Sequence, residues 1–471
     1  MAPVFVKRYG GGKIDYTKAY AKAYGMIIDN KEEDPYKKIT YICKNVDYSP
    51  IEMDQNLPNG YDLKEWEDAF FIPRYCYVDP SGKVLFYTKK HDITKKEDGT
   101  DSGILVKDNA LLNVEGNVMV EFPKIYYKVY MDEENDKAYV WICDEKLDRD
   151  FVCYANVDAD NNEIDYFYMA VFEGSSMTAN GTAKIRSLYA QTVKSSGGAA
   201  NAIHTTMYNK IHANEPDGSK IQWMYALHAD RVVVDYLLLM LSKTTDLQKM
   251  YGSGTSGATS GNGVNNVGLS GKSFAPSPGA TGTNGAIDSK GLFYSGNRKG
   301  YVSRVFGIEN YFGNAAEFII GALINTKVAG TIDGRGSKGR FFVKMTYGTY
   351  DGSSVKGFDG YGNGYGEDFI DTGVNAWQDV VSSNRVITRF HFSKYGMFPI
   401  GVVGSSGSYD KFYSDIVNYN SKNYLPKLAP GAPYPISLST KDGQGPLMQY
   451  YCLPDGSYQA ARLCCKPYAK G

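Results

Sequence analysis

One stretch decides the fold prediction: residues 306–318, which read FGIENYFGNAAEF. Gly307 and Gly313 can adopt the positive φ that residues with a side chain avoid, so the backbone can turn sharply at both positions. Asn310 and Asn314 carry amide side chains that can hydrogen-bond the local backbone. The stretch therefore predicts an aromatic-rich turn that leads into a structured segment.

The sequence around this stretch predicts strands and one long helix. Glu317 can close the turn by accepting backbone N–H groups. Residues 166–174 are mostly aromatic and apolar, which is typical of a buried strand. Residues 229–250 are apolar nearly all round, which predicts a helix buried on most sides. Within that helix, Arg231 and Asp235 lie four residues apart and can pair on its one solvent-facing side.

Two stretches rich in glycine predict long loops. Residues 252–300 combine Gly with Ser, Asn and Thr, and residues 351–373 combine Gly with Asp and Tyr. Such compositions bury too little apolar surface to form a core of their own. Long loops inside a folded domain are usually functional or mobile.

Residues 1–165 predict strands joined by turns. Residues 71–87 contain Asp79-Pro80-Ser81-Gly82, and Pro in the second place with Gly in the fourth is typical of a type I turn. Residues 124–142 predict a second hairpin, whose return arm alternates apolar and polar residues. We expect a β-rich N-terminal region here, of one or two subdomains.

Charge divides the chain at about residue 165. Residues 1–165 carry 22 Lys and Arg against 32 Asp and Glu, a net charge of −10, and the remainder carries 29 against 20, a net charge of +9. The second half lacks the clustered Lys and Arg runs that nucleic-acid binding requires, so no nucleic-acid partner is expected. Its mildly basic balance is compatible with an anionic bacterial polysaccharide.

The cysteines and histidines give no metal or catalytic pattern. The seven cysteines include no CxxC pair, and the five histidines include no HExxH or His-x-His pair. We expect reduced thiols, with Cys464 and Cys465 on opposite faces of one strand, and a packed or capping role for His228. The chain also has no apolar run of the roughly 18 residues that span a membrane and no signal-peptide pattern, so no membrane insertion is expected.

Residues 306–318 resemble a known signature, G-x-E-N-x-x-G-N-x-x-E. It belongs to the C-type-lectin-like superfamily, which includes formylglycine-generating-enzyme domains and the variable proteins of diversity-generating retroelements. The order of elements in residues 166–471 is also similar to gut-phage tail proteins of this type. The structural-motif positions that match are Gly307, Glu309, Asn310, Gly313, Asn314 and Glu317.

The resemblance implies an α+β fold class. We expect a C-type-lectin-like domain with long loops over residues 166–471, with the insert at 252–300, preceded by the small β-rich region 1–165. Formylglycine-generating enzymes carry a copper-binding cysteine pair before their terminal strand. Here Cys452 stands alone and Cys464 and Cys465 are adjacent, so that spacing is absent. We therefore expect no enzyme activity, no catalytic residue, no cofactor and no metal.

In retroelement-type proteins the binding surface lies in the C-terminal part, which matches residues 404–458 here. This region combines Tyr with Ser, Asn, Gly and Asp, the composition of antibody binding loops. Tyr rings can stack on sugars, and Asp and Asn can hydrogen-bond hydroxyl groups. The predicted ligand-binding residues are Tyr409, Asp410, Phe412, Tyr413, Asp415, Asn418, Tyr419, Asn420, Asn423, Tyr424, Tyr450 and Tyr451.

These features and the resemblance together predict a phage virion protein of the tail-fibre type. It would be assembled in the host bacterial cytoplasm with other virion proteins, as a homo-oligomer and by analogy a trimer. Its C-terminal loops, of the type that retroelements diversify, would bind a host cell-surface glycan or protein. Two alternatives stay open: a structural or decoration virion protein without a specific ligand, and an oxidoreductase of the formylglycine-generating type.

Overall fold

The structure, a computed structural model, consists mainly of short antiparallel strands. It describes residues 15–54, 56–57, 60–106, 110–179, 182–191, 193, 209–251, 270–271, 273–274, 290–295, 303–311, 316–325, 330–346, 369–381, 385–403, 411, 413, 416–417, 434–438, 450–451, 459–460 and 462–467.

The strands in the part preceding the motif are β1 (Tyr24–Asp29), β2 (Ile39–Cys43), β3 (Glu52–Met53), β4 (Tyr61–Asp62), β5 (Arg74–Val78), β6 (Val84–Lys89), β7 (Asp92–Lys96), β8 (Asn117–Pro123), β9 (Tyr126–Asp132), β10 (Lys137–Cys143), β11 (Tyr166–Ala170), β12 (Ser175–Ala179), β13 (Thr182–Arg186), β14 (Gln222–Tyr225) and β15 (Tyr294–Ser295). Those that follow are β16 (Ser303–Val305), β17 (Ile308–Glu309), β18 (Ala316–Asn325), β19 (Gly330–Ile332), β20 (Arg335–Val343), β21 (Ile370–Trp377), β22 (Arg385–Ser393), β23 (Gly396–Val403), β24 (Ile416–Val417), β25 (Tyr434–Leu438), β26 (Tyr450–Tyr451), β27 (Gln459–Ala460) and β28 (Leu463–Lys466). The helices are α1 (His228–Ser242), α2 (Leu247–Tyr251) and α3 (Gln378–Val381).

A seven-stranded sheet, in the order β14-β28-β11-β8-β5-β6-β7, joins both halves of the sequence. Side chains along each of its strands alternate between the two faces of the sheet, as the two-residue period of a strand requires. Phe122 of β8 and Phe167 of β11 stack with ring centroids 5.0 Å apart on the face that meets the core. Because β8 pairs with β11, the predicted boundary near residue 165 lies inside one continuous sheet.

A second sheet, in the order β2-β1-β10-β9, packs one face against the same core. Met26, Ile28 and Val140 point inward and are fully buried. The opposite face carries Trp141, which packs edge-on against Tyr20 with centroids 5.2 Å apart. The chain that precedes β1 therefore covers part of the outer face, and both faces contribute apolar burial.

Helix α1 is buried along its whole length, which agrees with its nearly continuous apolar sequence. It ends earlier than the predicted residue 250, because Lys243 adopts a left-handed conformation with φ 51° and caps the carbonyl of Leu239. The hydroxyl groups of Ser242 and Thr244 then donate to the carbonyl groups of Leu238 and Pro35. Such side-chain bonds to backbone compete with the backbone hydrogen bonds that would extend the helix. Helix α2 begins only at Leu247.

A buried ion pair joins α1 to β28. The Lys466 ammonium group donates to the Asp230 carboxylate and to the carbonyl of Ala155. Asp230 also accepts the backbone N–H of Leu227 at 3.0 Å, so the same carboxylate caps the start of α1. Removing one partner of such a pair leaves an uncompensated buried charge, which makes this a sensitive point of the core.

The remaining strands form further sheets, one of which also has seven strands. Strands β19-β20-β18-β25-β26 form one of them, with β21 added to β20 and β27 paired to β18. Strands β23-β22-β24 form another, and β22 contacts β9 of the N-terminal half. Among the described pairs, β18 with β27 is parallel and the others are antiparallel.

The predicted α+β class is wrong: the protein is largely β, with only short helices in the described residues. One long helix, α1, does not make the chain α+β when most of its other elements are strands. Tyr, Phe, Val and Ile, which occur throughout both halves, pack well on a pleated surface and favour strands. The two predicted N-terminal hairpins are confirmed as β5–β6, with Gly82 at φ 77°, and β9–β10.

Candidate functional site

Residues 303–311, which include the first six residues of the motif 306–318, form a buried hairpin of β16 and β17. Residues 316–318 of the motif begin β18. Phe306 and Gly307 make the two-residue turn, with φ of 50° and 82°. Positive φ at both positions is the pattern of a type I′ turn, which matches the twist of the flanking strands. The strain at Phe306 is offset by its fully buried ring, which lies 5.2 Å from the ring of Phe293.

Glu309 is the central polar residue of the motif. Its buried carboxylate accepts the backbone N–H of Gly271 at 2.7 Å, and the backbone N–H and hydroxyl of Ser273 at 2.8 Å each. Gly271 and Ser273 belong to the glycine-rich stretch at 252–300. The role predicted for Glu317, acceptance of backbone N–H groups, is thus performed by Glu309, while the side chain of Glu317 lies outside the described residues.

Two buried arginines hold the motif from either side. The Arg304 guanidinium donates to the carbonyl of Ser273 at 2.7 Å and stacks over the ring of Phe274 at 3.8 Å. The Arg462 guanidinium donates to the carbonyl of Glu309 at 2.7 Å and to that of Ala170 at 3.0 Å. Arg462 precedes β28, so the chain re-enters the core directly beside the motif.

Asn310 and Tyr311 connect the motif to other elements. The Asn310 amide donates to the Glu173 carboxylate at 2.9 Å, so the prediction that it bonds the local backbone is wrong. The Tyr311 hydroxyl donates to Asp235 at 2.8 Å, and the Arg231 guanidinium lies 3.5 Å from the centre of the Tyr311 ring. The α1 surface expected to face solvent at Arg231 and Asp235 is therefore covered by the motif.

Burial shifts the pKa of two groups on α1. Desolvation raises the pKa of Asp235 to about 6, against the opposing effect of Arg231. Desolvation also lowers the pKa of His228 to about 4, and its Nε2 lies 2.7 Å from the carbonyl of Tyr395. His228 is therefore a neutral, packed residue at the start of α1, as the sequence predicted.

Cys464 and Cys465 lie on β28 and are both buried. Cys464 pairs with Met169 of β11, and Cys465 pairs with Tyr168 of the same strand. Adjacent strand residues point to opposite faces, so the predicted arrangement is confirmed. Desolvation raises the pKa of both thiols well above its usual value, so both stay protonated.

The described residues include few of the predicted ligand-binding residues. Tyr413 is described and is fully buried, with its hydroxyl donating to Asn30, so it does not face a ligand in this structure. Tyr450 and Tyr451 form β26, with side chains that are not described. Outside the described residues lie Tyr409, Asp410, Phe412, Asp415, Asn418, Tyr419, Asn420, Asn423, Tyr424 and the motif positions Gly313 and Asn314.

Neither a metal-binding cluster nor a membrane-spanning helix is found among the described residues. Within the described ranges, no group of three or more His, Cys, Asp and Glu side chains is arranged to hold a metal ion. No helix in that same part of the chain is long and apolar enough to cross a membrane. No known family model matches the chain, and no curated protein matches its sequence. The resemblance to C-type-lectin-like proteins stays a prediction carried by the motif.

Proposed function

We propose that the protein is a binding protein that presents residues 404–461 to a host cell-surface glycan or protein. We name these residues the binding segment. The observation that carries the proposal is how the scaffold holds its two ends. The segment follows Val403 at the end of β23, contains the short strands β24 to β27, and is followed by the buried Arg462. Binding residues are commonly found on connections that a rigid scaffold positions in this way.

The composition of the binding segment supports the same function. Tyr and Ser are its most frequent residues, with eight of each, and Tyr gives a large amphipathic contact area at low entropic cost. The guanidinium of Arg462 holds the exit of the segment on the carbonyl groups of Ala170 and Glu309, which belong to two different strands. A segment with a fixed exit loses less conformational entropy when it binds a ligand.

The proposed setting is a phage virion, in which the protein acts as a tail-fibre-type adhesin. This part of the proposal is supported by the resemblance of Gly307, Glu309 and Asn310 to the retroelement-type signature. A homo-oligomer, a trimer by analogy, and contacts with other virion proteins belong to the same proposal. The alternative to an adhesin is a decoration protein of the virion that has no specific ligand.

The test is binding of the full chain to a panel of bacterial cells. The full chain is required because β8, from the N-terminal half, pairs with β11. The test variant changes Tyr419 and Asn420 to Ala. The matched control changes Tyr166 and Asn113, an exposed tyrosine and an exposed asparagine of the scaffold, to Ala.

We expect strain-selective binding that the test variant loses by at least tenfold and that the control keeps. Tyr413 is left unchanged, because its ring is buried and its replacement would disturb the scaffold. An absence of binding to every strain, or an equal loss in both variants, would overturn the proposed function and favour the decoration role.

A further inference from the structure

A buried asparagine connects the N-terminal sheet to the binding segment. The Asn30 side chain is 2% exposed, and both ends of its amide are used. Its Nδ2 donates to Asp136 Oδ1 at 2.9 Å and to the carbonyl of Phe390 at 3.0 Å. Its Oδ1 accepts the Tyr413 hydroxyl and the backbone N–H of Phe390, the latter at 3.3 Å. One side chain thus joins the end of β1, the β9–β10 turn, β22 and the binding segment.

Lys38 strengthens the same cluster from the opposite side. Its ammonium group donates to the carbonyls of Asp29 at 2.9 Å and Asn30 at 3.0 Å, and also to that of Glu32. The ammonium nitrogen lies 4.8 Å from the centre of the Tyr413 ring, within range of a cation–π interaction. The turn between β1 and β2 is therefore fixed in the shape that receives Tyr413.

The Tyr413 ring fills an aromatic site on this surface. It packs edge-on against Phe390 with centroids 4.7 Å apart and lies 6.3 Å from Phe392. Two residues earlier, Lys411 forms an exposed ion pair with Glu33 at 3.7 Å. Such an exposed pair contributes little, so the hold on the segment comes from Tyr413.

We infer that Asn30 and Tyr413 are positioning residues, which fix the binding segment on the N-terminal sheet so that its neighbours are presented in one arrangement. This inference rests on the proposed function for its effect on ligand. The positioning role also has a physical basis that does not depend on a ligand. A phenylalanine at position 413 would fill the aromatic site equally well, but it would lack the hydroxyl group that donates to Asn30. A segment held in its binding arrangement binds more tightly, because a larger fraction of the molecules is already in the conformation that can bind the ligand.

The first test is hydrogen exchange of the full chain with Tyr413→Phe. This change keeps the ring packing and removes one buried hydrogen bond. We expect amide exchange around residues 411–413 to become about fivefold faster, the amount that one net hydrogen bond corresponds to. Tyr75→Phe is the matched control, because Tyr75 is also fully buried and its hydroxyl donates to a carbonyl, that of Gly291, at 2.6 Å. It should leave exchange at residues 411–413 unchanged.

A second variant, Asn30→Ala, separates positioning from general loosening. It removes the contacts to Tyr413, Phe390 and Asp136 together, so exchange should rise both at residues 411–413 and along β22. Tyr413→Phe should affect the segment without affecting β22. Unchanged exchange at residues 411–413 in Tyr413→Phe would overturn the inference, as would the same pattern in Tyr75→Phe.

Cell binding then decides whether positioning serves the ligand. If the wild-type chain binds, we expect Tyr413→Phe to weaken binding by up to about fivefold, while Tyr75→Phe binds as the wild type does. Wild-type binding that Tyr413→Phe leaves unchanged would overturn the positioning role. If the wild-type chain binds nothing, the proposed function fails, and the exchange experiment still decides whether Tyr413 anchors the segment.

Discussion

At the scale of single residues, two hairpin turns share one backbone conformation, but one is packed against the core and the other is open. Phe306-Gly307 joins β16 to β17, and Asp333-Gly334 joins β19 to β20. All four residues have positive φ, with 82° at Gly307 and 76° at Gly334. A Cβ atom at Gly334 would meet no atom within 4 Å, but at Gly307 it would lie 2.5 Å from the Tyr75 ring and 2.7 Å from Val120.

This contrast gives a paired prediction. Gly334→Ala should lower the free energy of unfolding by about 1 kcal/mol, the cost of a left-handed conformation for a residue with a side chain. Gly307→Ala adds overpacking against the central sheet and should cost about 3 kcal/mol or more. Chemical denaturation of the two variants and the wild type measures both values. Equal losses would show that the motif turn is not tightly packed against Tyr75.

At the scale of elements, α1 and the motif are held together by polar groups as well as by apolar packing. Asp235 of α1 accepts the Tyr311 hydroxyl, yet its second carboxylate oxygen has no hydrogen-bond partner among the described residues. Burial raises the pKa of this carboxyl group to about 6, above the 3.8 expected of an unfolded chain. The folded protein therefore binds a proton that the unfolded chain releases between these two values.

This shift predicts a pH dependence of stability. The contribution of Asp235 is present in full below about pH 4 and is lost as the pH rises through 6. Asp235→Asn keeps an acceptor for Tyr311 and removes the titration. Between pH 4 and pH 7.5 the wild type should lose about 2.5 kcal/mol of unfolding free energy relative to the variant. Denaturation at both pH values tests this, and parallel pH profiles would contradict it.

Elements that depend on local sequence were predictable, and their partners were not. The β5–β6 hairpin follows from its Pro and Gly, and the burial of α1 follows from its apolar run. The α+β class, which the resemblance implied, failed because one short signature does not show how many strands the rest of a chain will pair. Glu309 was known as a motif position, but its partners Gly271 and Ser273 lie 38 and 36 residues away. Tyr413 was predicted to bind ligand because the residues around it in the sequence are polar. That composition does not show that its ring is buried against Phe390 and its hydroxyl bonded to Asn30, which is 383 residues away.

At the scale of the whole molecule, the two halves share one core. The main hydrophobic cluster runs from Tyr24 to Cys465, and the sheet that contains β8 and β11 joins three strands of the second half to four strands of the first. Without residues 1–165, β11 would lose β8 and expose the ring of Phe167. Exposed strand edges and apolar faces promote aggregation.

We therefore predict that residues 166–471 produced alone will aggregate, whereas the full chain unfolds in one transition. The control is the full chain with a protease site inserted after Asn161, which is exposed and lies in a turn. Its two fragments should remain associated after cleavage and elute together from a size-exclusion column. A soluble, cooperatively unfolding fragment 166–471 would contradict the prediction.

The position of β28 has a consequence for synthesis on the ribosome. This strand lies between β14 and β11, so both neighbours have an unfilled edge until residue 466 has emerged. The central sheet therefore cannot close before β28 has emerged, and completion of the core must wait for this strand. A chain that stopped before β28 would leave β14 separated from β11 and would lack the lysine that neutralises Asp230. Synthesis through residue 466 is thus required before this sheet can be complete.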